Sequence, residues 1–373
     1  MGNRQLTKSR LQNDIRAQAD SLARAFEYRR RDGDSPMLEA ASLIRSFPKV
    51  LITGMGASLF AAIPFQYFLC ARGIDATLVE AGELLHYLHH GHRDALMIIV
   101  SRSGESVEVA RLLSIVTPRQ KVIGLTNEPR SLLGREAHLS LSIHSLPDEF
   151  VAIQTYAGTL LALHLLAAAV DNRVGRSREE VEEFLPAFAQ SIEGSMDHLR
   201  AWDSFLVDRS PVHLLARGPS TGSALEGALL FNEVAKHPAI SMPIASFRHG
   251  PVELVDQSFR GLVFAPLSKT RDLTLSLVRD LERFGGQIRV IGPSLDESRD
   301  LIWCDIPESP ETLTPLLEII PVQAAALRMA QLCGIAPGSF RYAPQIALDE
   351  ATFLAQSSGP QSAPVSADSE VRS

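Results

Sequence analysis

Short apolar runs alternate with longer helix-length segments along most of the chain after Lys49. Five runs in the first half predict strands, at residues 50–53, 77–80, 96–100, 122–125 and 139–143. Strands that alternate with helices are typical of a parallel sheet with helices on both faces. The pattern therefore predicts an α/β fold with a doubly wound, flavodoxin-like sheet.

The second half repeats the pattern of the first. LITGMGAS at 51–58 corresponds to LLARGPST at 214–221, LMIIVSRSGES at 96–106 to LVFAPLSKTRD at 262–272, and KVIGLTN at 121–127 to RVIGPSL at 289–295. Self-similarity at a nearly constant spacing is the signature of a repeated structural unit. We expect two tandem copies of one doubly wound parallel-sheet domain.

Changes in polarity suggest the domain boundaries. Residues 171–183 (DNRVGRSREEVEE) are polar and charged, a helical pattern follows them, and the last residues are rich in Ser, Pro and Ala. We therefore predict a helical segment at 1–48, a first domain at 49–183 and a helical linker at 184–210. A second domain at 211–338, a tail at 339–356 and disorder at 357–373 complete the prediction.

Composition narrows the class of protein. The chain has 373 residues, 45% of them hydrophobic and 21% charged, which suits about two globular domains. The formal net charge of −7 leaves no basic surplus to neutralise nucleic-acid phosphates, so a nucleic-acid partner is not expected. Any anionic ligand has to be held by a local site.

The cysteines and the N-terminus favour a cytoplasmic protein. Cys70, Cys304 and Cys333 are odd in number and widely spaced, which argues against a disulfide framework and against a thiolate metal site. The N-terminus has no apolar signal-peptide core. The most apolar stretch, 160–170, is about half of the roughly 20 residues that span a bilayer and contains His164, so it predicts a buried helix.

A serine-rich turn follows the third predicted strand. Ser101, Ser103 and Ser106 surround Gly104, and a helix is predicted to begin near Glu105. Hydroxyls, a glycine that permits close approach and a helix N-terminus together suit a phosphate group. An ordinary helix cap without a ligand is the alternative that this spacing leaves open.

A glycine turn follows the first predicted strand. Its sequence, Gly54-Met55-Gly56-Ala57-Ser58, can bring Ser58 and the amides after Gly56 to the same edge of the sheet. It lacks the third glycine and the acidic strand end of the dinucleotide-binding fingerprint. We expect no cofactor and no metal.

The second half supplies titratable groups. Glu226 and Glu233 lie seven residues apart on the predicted helix ALEGALLFNEVAKH, which places both on one face. His249 lies at a strand-to-helix turn, in FRHGPVEL. A solvated helix face and a capping or core histidine are the alternatives.

Taken together, SRSGES, ALEGALLFNE and FRHGP resemble the double sugar isomerase (SIS) domain family, in particular the isomerase region of glucosamine-6-phosphate synthase and stand-alone glucosamine-6-phosphate deaminases. The resemblance covers residues 50–353. SRSGES is similar to the phosphate-binding SQSGET of that family, and the other two segments are similar to its LEGALKLKE and KHGP. The resemblance implies a fold of two SIS domains and a phosphorylated sugar as ligand.

The resemblance also implies roles for individual residues. Glu233 would move a proton between C1 and C2 of the sugar, His249 would assist ring opening from a neighbouring subunit of a homodimer, and Glu226 would be a second carboxylate of the site. The tail at 339–356 would lie near the active site. The residues implied in substrate binding are Gly56, Ser58, Ser101, the Arg102 amide, Ser103, Ser106, Val151 and Ala152.

Several positions depart from the family pattern. Leu230 replaces a helix lysine, Ala57 a threonine and Ile153 a serine, and the lysine expected near residues 344–347 has no counterpart, Asp349 being the nearest charged residue. About 49 residues precede the first strand and Met1 is not followed by cysteine, so we expect no glutaminase domain and no glutamine-dependent synthesis.

Two hypotheses follow. The first is an isomerase or deaminase of an amino sugar phosphate such as glucosamine 6-phosphate, which releases ammonia. The second is a non-catalytic sugar-phosphate-binding regulator on the same fold. Retention of Glu233 and His249 favours the enzyme, and the missing lysines favour the regulator.

Overall fold

A computed structural model of the chain describes residues 9–294, 300–338 and 340–342. The first half contains β1 (Lys49–Gly54), β2 (Asp75–Glu80), β3 (Leu96–Val100), β4 (Val122–Thr126) and β5 (Leu139–Ser142). These strands form a parallel sheet in the order β2-β1-β3-β4-β5. All five strands predicted from the apolar runs are confirmed, with ends that differ by at most two residues.

The second half contains an equivalent sheet. Its strands are β6 (Val212–Ala216), β7 (Ala239–Pro243), β8 (Arg260–Phe264), β9 (Gln287–Gly292) and β10 (Trp303–Asp305). They are parallel and lie in the order β10-β9-β8-β6-β7, which is the order of the first sheet when each strand is matched with its counterpart. The expected tandem duplication of a doubly wound sheet is thus confirmed at the level of topology.

Helices cover the sheets and connect the two halves. In chain order they are α1 (Arg10–Asp32), α2 (Ser35–Ser46), α3 (Gly56–Ala71), α4 (Ala81–Glu83), α5 (Val107–Ile115), α6 (Leu132–Glu136), α7 (Gln154–Val170), α8 (Val174–His198), α9 (Asp203–Val207), α10 (Thr221–Leu230), α11 (Ile244–Phe247), α12 (Arg271–Arg283) and α13 (Thr314–Leu332). Single 3₁₀ or π turns lie between several of them. Helices α3 and α10, which follow the first strand of each half, pack against each other.

Helix α8 begins earlier than the expected linker. The polar stretch at 171–183 suggested a break in the chain, yet α8 runs through it from Val174. Val181, Phe184, Phe188 and Ile192 recur at helical spacing and are buried, so the charged residues between them mark only the outer face of one helix. The proposed boundary between 183 and 184 therefore falls inside α8.

The largest apolar core packs helices from both halves against the second sheet. It is formed by α1, α7, α8, α10 and α13 together with residues of β6, β8 and β9. Every residue of α7 is buried, which confirms the buried helix predicted at 160–170. His164 fits this core because its ring nitrogens lie 2.7 Å from Thr312 Oγ1 and 2.8 Å from Ser177 Oγ. None of the helices in the described ranges is both long and apolar enough to cross a membrane.

Candidate functional site

A cavity of about 310 Å³ lies beyond the carboxyl ends of β1 and β3. We call it the first cavity. The structure brings to its wall ten of the eleven residues selected from the sequence, namely Gly56, Ser58, Ser101, Arg102, Ser103, Ser106, Val151, Ala152, Glu226 and Glu233. The first half contributes the hydroxyls and the second half the two carboxyls. Neither half forms the cavity alone.

The serine turn supplies hydrogen-bonding groups to one wall. Ser101 Oγ accepts a hydrogen bond from the Gly104 amide at 3.1 Å, and Ser103 Oγ accepts one from the Glu105 amide at 3.3 Å. Ser106 occupies the N-cap position of α5 but makes no capping bond with its side chain. Its hydroxyl is buried and has no partner among the described residues. An N-cap serine usually bonds the first turn of its own helix, so this hydroxyl is left for another acceptor.

Two glycines shape the turns around the cavity. Gly104 has φ +64°, and a Cβ there would lie 2.1 Å from Ser131 Oγ. Gly56 has φ +48° at the start of α3. Both conformations favour glycine over residues with a Cβ. The amides at the starts of α3 and α5 thereby come to the same edge of the sheet, where helix N-termini attract anions.

Glu226 lies in α10 and is 1% exposed. Burial raises the pKa of its carboxyl well above the ordinary value, and the neighbouring carboxylates of Glu233 and Asp148 raise this pKa further. Its Oε2 atom has no hydrogen-bond partner in the part of the chain that the structure describes. Burial therefore favours the neutral form of Glu226, which can donate one hydrogen bond into the cavity.

Glu233 lies one turn beyond α10, in a π-helical turn at Phe231–Ala235. The predicted single helix is thus an α-helix that ends in a π turn. Burial raises the pKa of Glu233 to about 7, while the positive charges of Lys236 and Arg102 act in the opposite direction. Burial is thus the main cause of the raised pKa of Glu233, and Lys236 is a neighbouring cation although Leu230 carries no charge.

Asp148 is a component of the site that sequence reasoning missed. Its carboxylate accepts hydrogen bonds from the amides of Ile153 at 3.0 Å and Gln154 at 2.6 Å, and from the Thr155 hydroxyl, so it caps α7. It also lies 4.0 Å from Arg102 Nη1. An aspartate just before a long apolar run is a helix-start signal that could have indicated it. Asp148 fixes the segment of Val151 and Ala152 that lines the cavity.

Three side chains of α7 also face the cavity without having been predicted. Thr155, Tyr156 and Thr159 lie on one helical face and line its wall. The Tyr156 hydroxyl is buried without a partner among the described residues, and burial together with Glu226 raises its pKa. No sequence signal distinguished these residues, because they lie within the apolar pattern of a core helix.

His249 is exposed and does not line the first cavity. It lies between α11 and a 3₁₀ turn at Pro251–Leu254, and its amide donates to the Ser246 carbonyl at 3.1 Å. Its expected entry into the site of a neighbouring subunit stays a prediction. Phe340, from the expected tail, does line the first cavity and contacts Phe150 with ring centroids 4.6 Å apart. Residues 343–373, with the positions around Asp349, lie outside the described residues.

The acidic, histidine and cysteine side chains that the structure describes outside this cavity do not form a metal centre. Within the described ranges, no group of three His, Cys, Asp or Glu side chains is arranged to hold a metal ion. Cys70, Cys304 and Cys333 are not joined in disulfides. The chemistry that the first cavity offers is therefore hydrogen bonding to an anion on one wall and proton transfer by carboxyls on the other.

The fold and this site define a class of protein with two parallel α/β domains and a serine-rich turn at the carboxyl edge of the first sheet. Residues 43–169 match the model of the SIS domain family, so this part of the chain is a SIS domain and the resemblance drawn from the sequence is confirmed.

Curated relatives extend the likeness to both halves. The chain is 30% identical over 308 residues to the glutamine–fructose-6-phosphate aminotransferase (isomerizing) of Pyrococcus horikoshii, and the match covers 80% of this chain and 51% of the relative. It is 28% identical over 336 residues to the protein of that name from Aeropyrum pernix, with 84% of this chain and 54% of the relative covered. The chain spans about half the length of the curated relatives it matches.

Solved structures show the same fold. The C-terminal domain of glucosamine-fructose-6-phosphate aminotransferase from Francisella tularensis superposes with a TM-score of 0.76 at 20% identity, covering 90% of this chain and 98% of that one. The glucosamine-6-phosphate deaminase of Thermotoga maritima superposes with a TM-score of 0.73 at 22% identity, covering 91% of this chain and all of the other. The tandem arrangement of the two sheets thus recurs in whole chains of known structure.

Proposed function

We propose that this protein is an enzyme that isomerises an amino sugar phosphate such as glucosamine 6-phosphate and releases its amine as ammonia. The observation that carries the proposal is one cavity with an unsatisfied serine hydroxyl on one wall and a carboxyl of pKa about 7 on the other. Its volume of about 310 Å³ suits a small ligand. Relatives named for fructose 6-phosphate and glucosamine 6-phosphate support the substrate class.

Phosphate binding is assigned to Ser101, Ser103, Ser106 and Ser58, with the amides at the starts of α3 and α5. These groups are neutral, so they suit an anion through hydrogen bonds and helix dipoles. Held in this way, the phosphate directs the other end of the sugar toward α10 and the π turn. Binding energy from the phosphate then orients the reacting carbons.

Glu233 is assigned as the base. In the open-chain sugar it takes the proton from C2, next to the C1 carbonyl, and C1 is protonated in the next step. An amine on C2 thereby becomes an imine, which water hydrolyses to the ketose and ammonia. A carboxyl with a pKa near the working pH is suited to accept and return a proton. Neutral Glu226 is assigned as a hydrogen-bond donor to the sugar.

The test is turnover of a panel of hexose and hexosamine 6-phosphates, with ammonia and ketose followed together. Glu233→Gln keeps the shape and removes the base, so it should bind substrate with near-parent affinity and turn it over at least about a hundredfold more slowly. Glu193→Gln, an exposed change on α8, is the matched control and should behave as the parent. Tight binding with no turnover of any substrate by the parent would support the regulator instead.

A second test addresses the phosphate. Each lost hydrogen bond to a charged group weakens binding by roughly 1.5–3 kcal/mol, so replacing Ser101, Ser103 and Ser106 together by alanine should abolish measurable affinity for phosphorylated sugars. Calorimetry measures this affinity. The matched control replaces three exposed serines, Ser46, Ser114 and Ser204, and should leave it unchanged. Parent-like binding by the first triple variant would place the phosphate elsewhere.

A further inference from the structure

A second cavity lies at the carboxyl edge of the second sheet. Its volume is about 770 Å³, more than twice that of the first cavity. It is lined by the turn after β6, by the loop after β8 and by the end of α3, and we call it the second cavity. Ligands of open parallel sheets bind beyond the carboxyl ends of the strands, where the strand order reverses. The second cavity occupies that place.

The second cavity is the duplicate of the first. Gly218 corresponds to Gly56, and both have positive φ, +58° and +48°. Tyr67 and Ala71 on α3 line the second cavity, and Leu229 and Glu233 line the first. Each residue of the first pair precedes its counterpart in the second pair by 162 residues, which is also the spacing between Gly56 and Gly218. The loop after β8, residues 266–270, takes the place of the serine turn after β3. Duplication has therefore preserved the cavity as well as the sheet.

Its chemistry differs from that of the first cavity at two points. Ala71 stands where the first cavity has Glu233, so the base is absent from this position. Arg217 and Lys269 line the wall, and these cations replace the neutral serine turn. The Nε atom of Arg217 is buried without a hydrogen-bond partner among the described residues. The duplicate is thus equipped for an anion but lacks the group that moves a proton.

The other charged side chains around the second cavity do not cancel the positive charge of Arg217 and Lys269. Glu311 is exposed and is the one acidic side chain among the lining residues that the structure describes. Glu318 is fully buried behind the wall and accepts hydrogen bonds from Ser220 and Ser223, each at 2.6 Å. Arg271 is buried and donates to backbone carbonyls instead of facing the cavity. Among the described lining residues there are two cations, Arg217 and Lys269, and one carboxylate.

We propose that the second cavity is a non-catalytic binding site for a phosphate-bearing metabolite, held by Arg217, Lys269 and the amides at the start of α10. The larger volume and the exposed ring of Tyr67 accommodate a ligand with more than one ring or phosphate. The ligand is bound without turnover because no carboxyl replaces Ala71. This proposal does not depend on the activity assigned to the first cavity.

The experiment measures binding stoichiometry of the full chain by calorimetry with inorganic phosphate, glucosamine 6-phosphate and ADP as separate probes. At least one probe should bind at two sites per chain, or at one site that survives the triple serine change in the first cavity. ADP binding alone would identify a nucleotide-type ligand, and glucosamine 6-phosphate binding a sugar phosphate. The readout is binding, so a failure to release ammonia leaves the outcome unaffected.

Two variants localise that site. The double change Arg217→Gln and Lys269→Gln should weaken it at least tenfold, whereas Arg119→Gln with Arg209→Gln, two exposed arginines outside both cavities, should not. Ala71→Glu adds a carboxylate at an exposed position of the wall and should weaken the same site by charge repulsion, even if the first variant folds poorly. The proposal would be overturned if the parent chain bound none of the probes outside the first cavity. It would also be overturned if both variants bound the probe at the second cavity as tightly as the parent.

Discussion

Ser106 shows at the scale of one residue how the site departs from ordinary structure. A serine at an N-cap normally satisfies its own helix, yet here its hydroxyl is buried and makes no capping bond. Leaving a buried hydroxyl without a partner costs about 1–3 kcal/mol. A ligand that accepts from Ser106 would recover this cost, which is why the hydroxyl supports phosphate binding.

Glu226 and Glu233 differ because their surroundings differ. Glu226 is enclosed in the core, whereas Glu233 is partly exposed and lies near Lys236 and Arg102. Lys236 donates a hydrogen bond to the Glu233 carbonyl and adopts the left-handed conformation, with φ 52°. The two carboxyls therefore differ in acid–base behaviour, because burial favours the neutral form of Glu226 whereas Glu233 has a pKa of about 7.

The pH dependence of turnover should report Glu233. The base works when ionised and burial raises its pKa to about 7, so kcat/KM should rise with pH and level off above pH 7 rather than above 4.5. Initial rates between pH 5 and 9 measure this, with melting curves to show that the chain stays folded. Lys236→Gln removes a charge that lowers this pKa and should move the midpoint upward. A plateau that extends down to pH 5 would contradict the assignment.

At the scale of elements, the turn between β3 and α5 depends on one glycine. In Gly104→Ala the new Cβ would lie 2.1 Å from Ser131 Oγ, which itself accepts a hydrogen bond from the Gly134 amide at 3.2 Å and caps α6. Either the serine turn or the start of α6 has to move. The cavity wall formed by the serines moves with it.

We expect Gly104→Ala to lower the free energy of unfolding by about 2–4 kcal/mol, combining left-handed strain with overpacking, and to weaken phosphate binding. Denaturant titration and calorimetry measure the two effects. Gly73→Ala is the control, because Gly73 also has positive φ, +75°, but has open space at the Cβ position. It should show the strain alone. Equal losses in the two variants would show that the contact with Ser131 carries no cost.

Helix α8 illustrates why element boundaries were less predictable than element types. A run of charged residues reads as a loop when only its polarity is considered, but the apolar residues at helical spacing within it decide its structure. The π turn after α10 is a second feature that the sequence pattern did not predict. A residue pattern predicts a helix, whereas the local change from α to π depends on how Phe231 and Val234 pack in the core.

At the scale of the whole molecule, α3 and α10 connect the two cavities. Helix α3 begins at the first cavity with Gly56 and ends at the second with Ala71, and α10 begins at the second and leads to Glu233 at the first. Each half thus supplies the sheet edge beside its own cavity, and it also supplies the end of a helix that lines the other half's cavity. This exchange explains why a single half could not form the site.

The exposed position of His249 gives a prediction about assembly. If a C2 dimer brings His249 to the partner's first cavity, mixing Glu233→Ala chains with His249→Ala chains should restore up to about a quarter of all sites in a random population. The restored fraction is measured by comparing the activity of the mixture with the activity of each variant alone. Size-exclusion chromatography with differently tagged chains confirms that mixed dimers form. No rescue in verified mixed dimers would mean that each chain completes its own site.

The sequence by itself determined the two sheets, their tandem repetition and most of the residues in the serine-rich wall of the first cavity. Apolar runs fix strands through burial, and a repeated pattern fixes a repeated topology, so these features are local and could be read along the chain. The paired motifs SRSGES and ALEGALLFNE then indicated residues that the structure does bring together in one cavity.

Tertiary structure alone decided the environment of each group. The caps that Asp148 makes on α7, the orphan hydroxyls of Ser106 and Tyr156, and the raised pKa of Glu233 all depend on which elements pack around them. The second cavity could not be predicted either, because Tyr67 and Ala71 line the same cavity as Arg217 only through the packing of α3 on α10. Desolvation and long-range contact arise from residues far apart in the chain, and neither leaves a pattern in the local sequence.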